Sequence, residues 1–145
     1  MYKNILVATD GSALADKAVD AGIALAKALG AKVAVLTATE PWTATVSGEM
    51  TIGFPAAEYD AAMAAHAKTV LDRATAAAQK AGVACETEHA KDAFPAEAIV
   101  DVAKRRGCDL IVMASHGRRG VSRMLLGSQA NRVVTHSDIP VLICR

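Results

Sequence analysis

Met113-Ala114-Ser115-His116-Gly117 is followed, after nine residues, by Gly127-Ser128. An apolar run, Leu110-Ile111-Val112-Met113, leads into this stretch, and a helical pattern from Gln129 to His136 leads out of it. A buried strand, a flexible turn and a helix start, in that order, make a physical site for phosphate. The first N–H groups of a helix have no intrahelical partner, and the aligned peptide dipoles favour negative charge there. Arg118, Arg119 and Arg123 gather three guanidinium groups around the same loop and can neutralise phosphate charge, although a solvated position is the simpler role for at least one of them. Ser128 reads as the N-cap of the helix, with phosphate contact as an addition to that role. His116 stands where an acid or base could meet a terminal phosphate. No carboxylate partner is near it in sequence, so its ring reads more simply as an anchor for the turn. Asp10 closes another apolar run, Ile5-Leu6-Val7-Ala8; Ser12 or Asp10 can cap the helix that follows, and Asp10 can contact a ligand as well as cap.

Other chemistries are excluded. The first strand-to-helix turn, Thr9-Asp10-Gly11-Ser12-Ala13, has one glycine and lacks the GxGxxG of a dinucleotide fold. No GxxxxGK[ST], no GxSxG and no histidine pair at metal-ligand spacing occurs in the sequence. Cys85, Cys108 and Cys144 are odd in number and isolated, which reads as small buried or half-buried thiols in a reducing compartment. A net charge of +1 argues against general affinity for nucleic acid. No apolar segment approaches a membrane span, and Met1-Tyr2-Lys3-Asn4 runs straight into a strand pattern without a signal peptide; a cytoplasmic protein is the expectation.

The elements that must position these groups alternate regularly. Tyr2 to Thr9 is a strand buried on both faces, and Ala13 to Leu29 a helix closed by Gly30. The pattern turns Leu14, Ala18, Ala21, Leu25 and Leu29 of that helix inward. Val33 to Leu36 is a second strand whose carboxyl end is Thr37-Ala38-Thr39. The segment from Glu40 to Ala57 has no periodicity and is long for a connection, hence functional or mobile, with Trp42 and Phe54 as anchors. A helix from about Glu58 to Ala81 turns Met63, Val70, Leu71 and Ala74 inward. Val83 to Ala90 alternates like a half-exposed strand near a sheet edge. A helix begins at Pro95 and runs to Arg106. Leu110 to Met113, the loop, the last helix and Ile139-Pro140-Val141-Leu142-Ile143-Cys144 complete the chain. His66, His89 and His136 read as surface or half-buried residues, Met63 and Met113 as core. With 145 residues, 52% of them apolar, this is one α/β domain: a parallel sheet with helices on both faces. Ligands of such sheets lie beyond the strand carboxyl ends, where Asp10, Thr37 to Thr39 and Ala114 to Gly117 all fall.

Over its full length, from Lys3-Asn4-Ile5-Leu6-Val7-Ala8-Thr9-Asp10-Gly11-Ser12 to Ile139-Pro140-Val141-Leu142-Ile143, the chain resembles the universal stress protein family. The most specific part is Asp109 to Gly117 with Gly127-Ser128. The ATP-binding branch of that family carries Gly, two residues, Gly, nine residues, Gly and then Ser or Thr. Gly117, Gly127 and Ser128 match, whereas the first glycine is Ala114 here. If that position is still extended strand, alanine is harmless there; a left-handed conformation would make it a defect.

The resemblance implies a three-layer domain over residues 1–145 with a five-stranded sheet of order 3-2-1-4-5. It further implies ATP or another adenine nucleotide, with magnesium as the divalent ion, across the first and fourth strands. Asp10 would meet the adenosine, with Ala8, Thr9, Thr37 and Ala38 around the base. Gly117, Gly127, Ser128 and Gln129 would hold the phosphates with Arg118 and Arg119, and Met113, Ala114 and His116 would complete the contacts. Pro140 places the last strand at an edge, yet Ile139 to Cys144 is too apolar to stay uncovered. The family forms dimers through this strand, which implies a homodimer. The expected function is a stress-response sensor or regulator with little or slow hydrolysis. The alternatives are a dimeric interaction module that binds no nucleotide and, more weakly, a true ATPase.

Overall fold

The computed structural model of the chain describes residues 1–45, 55–117 and 126–145. Arg118, Arg119, Arg123 and Phe54 lie outside the described residues. The strands are β1 (Asn4–Ala8), β2 (Lys32–Thr39), β3 (Cys85–Lys91), β4 (Leu110–Ala114) and β5 (Val141–Cys144). The helices are α1 (Ala13–Leu29), the single turn α2 (Trp42–Thr45), α3 (Ala56–Ala81), α4 (Pro95–Arg105) and α5 (Ser128–His136). The sheet has the order β3-β2-β1-β4-β5, and every pairing is parallel. The winding therefore reverses between β1 and β4, and their carboxyl ends border the crevice that the sequence singles out.

Side-chain alternation along the strands divides the core in two. Ile5, Val7, Val33, Val35, Leu110, Val112 and Ala114 face α1 and α3. Leu6, Ala8, Ala34, Leu36, Ile111 and Met113 face α4 and α5. The central strands are apolar on both faces because helices cover both.

Helix α1 is seated differently from the expectation. Its buried residues are Ala15, Ala18, Val19, Gly22, Ile23 and Ala26, while Leu14 and Leu25 are half-buried and Leu29 is exposed. A Cβ on Gly22 would stand 2.5 Å from Val7 Cγ2, so this helix lies too close to β1 for leucines on its inner face. Strand β2 also runs further than its apolar stretch, since Thr37, Ala38 and Thr39 pair with His89, Ala90 and Lys91 of β3. Buried threonines sustain it, and Thr39 Oγ1 lies 2.8 Å from His89 Nε2. Met63, expected to face inward, is only half-buried.

Both β3 and β5 are edges. At β3, Arg106 meets Glu86 at 2.8 Å and Glu88 at 2.7 Å, and Arg105 reaches the other Glu88 oxygen at 2.7 Å. The end of the sheet away from the crevice is tied by Asp109, which accepts from the N–H groups of Lys3 and Asn4 at 2.8 and 3.1 Å.

Candidate functional site

The turn after β1 is built around Asp10. Its Oδ1 accepts from the Ser12 N–H at 3.0 Å, and Thr9 Oγ1 accepts from the Gly11 N–H at 3.1 Å. Ser12, not Asp10, caps α1, its hydroxyl accepting from the Ala15 N–H at 3.2 Å. Asp10 is thus held one step ahead of the helix with its second oxygen turned towards the crevice. Gly11 has a φ of +81°, and a Cβ there would stand 2.6 Å from Val70 Cγ2 of α3. Only glycine satisfies both the left-handed backbone and that approach.

The turn after β4 is joined to the start of α5. The Ser115 N–H donates to the Cys144 carbonyl at 2.7 Å, and the Ser115 carbonyl accepts from the Gly127 N–H at 2.8 Å. A Cβ on Gly127 would be 2.7 Å from that carbonyl and 3.4 Å from His116 Cα. His116 Nδ1 lies 3.0 Å from Ser115 Oγ, and its buried Nε2 has no hydrogen-bond partner among the described residues. The ring is therefore packed into the turn.

The expected capping at α5 is corrected by the structure. Gly127 is the N-cap residue with φ −66° and ψ 159°, Ser128 is the first helical residue, and no side chain caps the helix. Serine is the better capper in general, but the close approach to Ser115 admits only glycine at the cap position. Gln129 has a structural task as well, since its Oε1 accepts from the Ala96 N–H at the start of α4 at 3.1 Å. What the helix start presents is exposed Ser128 and its first backbone N–H groups.

The two turns meet at Gly117. A Cβ on this exposed glycine would lie 2.8 Å from Asp10 Oδ2. Ala114 belongs to β4, pairs with Cys144 and is not among the residues with positive φ, so the departure from the family's first glycine falls on ordinary strand. Ala8 and Met113 are buried in the core beneath α4 and α5, Thr9 and Thr37 are buried, and Ala38 is half-buried.

Sequence patterns did not reveal the part played by α3. Tyr59 OH donates to the Glu40 carbonyl at 2.8 Å, His66 Nε2 lies 3.3 Å from the Asp10 carbonyl, and Arg73 Nη2 donates to the Gly11 carbonyl at 3.2 Å. These residues recur with Val70 at seven-, four- and three-residue steps, one stripe of a helix, which was the available signal. Burial raises the thiol pKa values of Cys85, Cys108 and Cys144, aided at Cys85 by Glu86. They are protonated near neutral pH and are poor nucleophiles. Among the described residues no group of three His, Cys, Asp or Glu side chains could hold a metal ion, and no helix is long and apolar enough to cross a membrane.

The model of the Universal stress protein family matches residues 1–145. Universal stress protein YxiE of Bacillus subtilis (strain 168) is 34% identical over 149 aligned positions covering all of both chains. Universal stress protein UspA from Lactobacillus plantarum superposes with a TM-score of 0.84 at 28% identity, over 99% of this chain and 98% of its own. A universal stress protein solved in complex with cAMP gives 0.72 at 28% identity, over 98% and 95%. The sheet order, the two joined turns and these full-length likenesses agree: the chain belongs to the universal stress protein family.

Proposed function

We propose that this protein binds an adenine nucleotide, ATP in the first instance, across the carboxyl ends of β1 and β4, and acts in the cytoplasm as a stress-response sensor or regulator. The observation that carries this reading is the pair of cradles at Gly117 and Gly127, where a Cβ would collide with Asp10 Oδ2 and with the Ser115 carbonyl. Gly127 packs the start of α5 onto the turn after β4, and exposed Gly117 and Ser128 beside a helix start without a side-chain cap are suited to phosphate. Asp10 Oδ2, at the other side of Gly117, is placed for ribose hydroxyls. The cAMP complex of a relative supports the adenine class. Magnesium would enter with the phosphates and would offset their negative charge.

Hydrolysis is slow in this reading. His116 is engaged with Ser115, and no carboxylate among the described residues is hydrogen-bonded to its ring. A base without an orienting partner is a weak one. Calorimetric titration with ATP and magnesium is the test: saturable heat is expected, and none up to millimolar ligand would sink the proposal.

The protein acts as a homodimer through the strand Ile139–Cys144. In support, β5 is an edge on which Leu142 is 42% exposed and Val141 and Ile143 are half-buried. Sedimentation at micromolar concentration should give twice the chain mass of 15.0 kDa, and a clean monomer would refute it.

A further inference from the structure

We infer that Arg73 and His66 of α3 are positioning residues for the nucleotide site, acting by holding the Asp10–Gly11 turn from behind. This rests on the proposed adenine-nucleotide reading and assigns it a control from a helix that contributes none of the expected contacts. Arg73 Nη2 donates to the Gly11 carbonyl at 3.2 Å and to Asp16 Oδ1 at 3.0 Å. His66 Nε2 lies 3.3 Å from the Asp10 carbonyl, which can only accept, so that nitrogen carries the proton. Val70, between them, fills the space against Gly11. Both peptide carbonyls of the turn are therefore gripped by one helix, while the Asp10 side chain is oriented by the Ser12 N–H. If either grip is released, the turn shifts, and Asp10 Oδ2 shifts with it relative to Gly117.

The energetics separate positioning from stability. The Arg73–Asp16 pair is about half exposed on both partners, at 53% and 45%. Pairs of that kind add little to folding, so Arg73→Ala should remain folded. Its effect belongs on the ligand, because a displaced Asp10 costs the adenosine contact.

The experiment measures ATP–magnesium and adenosine affinity for the full chain and for Arg73→Ala, Arg73→Lys, His66→Ala and His66→Gln, each alone and combined with Asp10→Ala, with thermal unfolding recorded for each. Arg73→Ala and His66→Ala should each weaken both ligands about ten-fold, the loss of one positioning hydrogen bond. Thermal midpoints should be nearly unchanged, and Arg73→Lys and His66→Gln should restore part of the affinity. In the Asp10→Ala background neither change should weaken binding further, because what they position is gone. Unaltered affinity in the folded variants, or losses that add to that of Asp10→Ala, overturns the inference. If the unaltered chain binds neither ligand, the reading of the site itself fails, and the inference with it.

Discussion

Asp10 Oδ2 lies 2.8 Å from the point where a side chain on Gly117 would begin, so the turns after β1 and β4 are in contact through a carboxylate and a bare Cα. These residues are more than a hundred positions apart, and their strands are neighbours only because the sheet winding reverses between them. The Asp10 carboxylate is oriented from one side by the Ser12 N–H, and on the other it faces the glycine. A ligand that uses both turns must pass this point.

Gly117→Ala should therefore separate binding from folding. The atom that its methyl group would meet is the end of a short side chain, which can rotate away, so the stability cost should be about 0.5 kcal/mol or less. Rotation takes the carboxylate off the position proposed for the ribose contact, and ATP affinity should drop about ten-fold, as for loss of one hydrogen bond to a charged group. Denaturant unfolding and calorimetry on the same preparation check both numbers, and unchanged affinity would remove Gly117 from the site.

Gly127→Ala should behave in the opposite way, because its methyl group would meet backbone. The Ser115 carbonyl at 2.7 Å and His116 Cα at 3.4 Å cannot rotate aside. Forcing them apart breaks the Gly127–Ser115 hydrogen bond and should cost about 1–3 kcal/mol of stability. ATP binding should fall below detection as the α5 start shifts. A variant as stable as the unaltered protein would show that this cradle is looser than its geometry implies.

What the sequence could disclose follows from which signals are local. The alternation of apolar runs and helical periods disclosed the class of fold and the places where strands end, and the glycine spacing disclosed the loop. The buried face of α1 was misread because leucines outweigh alanines on any hydropathy count, whereas the close packing of Gly22 on Val7 selects small residues. Thr37 to Thr39 are legible as the carboxyl end of β2, and pairing to β3 sustains them there despite their polarity. Ser128 looked like a cap by propensity, but the approach of the Ser115 carbonyl decided for Gly127. The grip of His66 and Arg73 on the first turn depends on where α3 lies in three dimensions. Propensity carries no information about that.

Acid should weaken the fold through two groups whose folded pKa values are both lowered. Burial pushes the Glu88 carboxyl up, but the hydrogen bonds and charges of Arg106 and Arg105 outweigh it, and the folded pKa lies below the ordinary 4.5. Burial, followed by the charge of Lys91, pushes His89 below 6.5 against the opposing effect of Asp92. In both cases the unfolded chain binds protons more readily, so each contribution is full above its ordinary value and is lost as pH falls through the lowered one. Glu88→Gln should cost about 1 kcal/mol at neutral pH and flatten the stability profile below 4.5. His89→Gln should flatten it only below 6.5. Urea unfolding across that range checks both, and unaltered slopes would contradict the assignments.

Ala114→Gly, which restores the glycine of the family's ATP-binding pattern, should bring no gain in affinity. The reason lies in the backbone at that position. Ala114 is the last residue of β4, paired in register with Cys144, 7% exposed, and absent from the residues with positive φ. The next residue donates its N–H to the Cys144 carbonyl, so strand pairing continues past the substitution and the turn proper starts at Ser115. A glycine gains nothing from its left-handed freedom in extended backbone. It also adds entropy to the unfolded chain and removes a methyl group packed beside Val112 and α1, together costing about 1 kcal/mol. ATP titration and denaturant unfolding of this variant should therefore show unchanged affinity on a less stable protein. A clear rise in affinity would mean that the bound state bends the strand at Ala114, and that alanine there holds binding back.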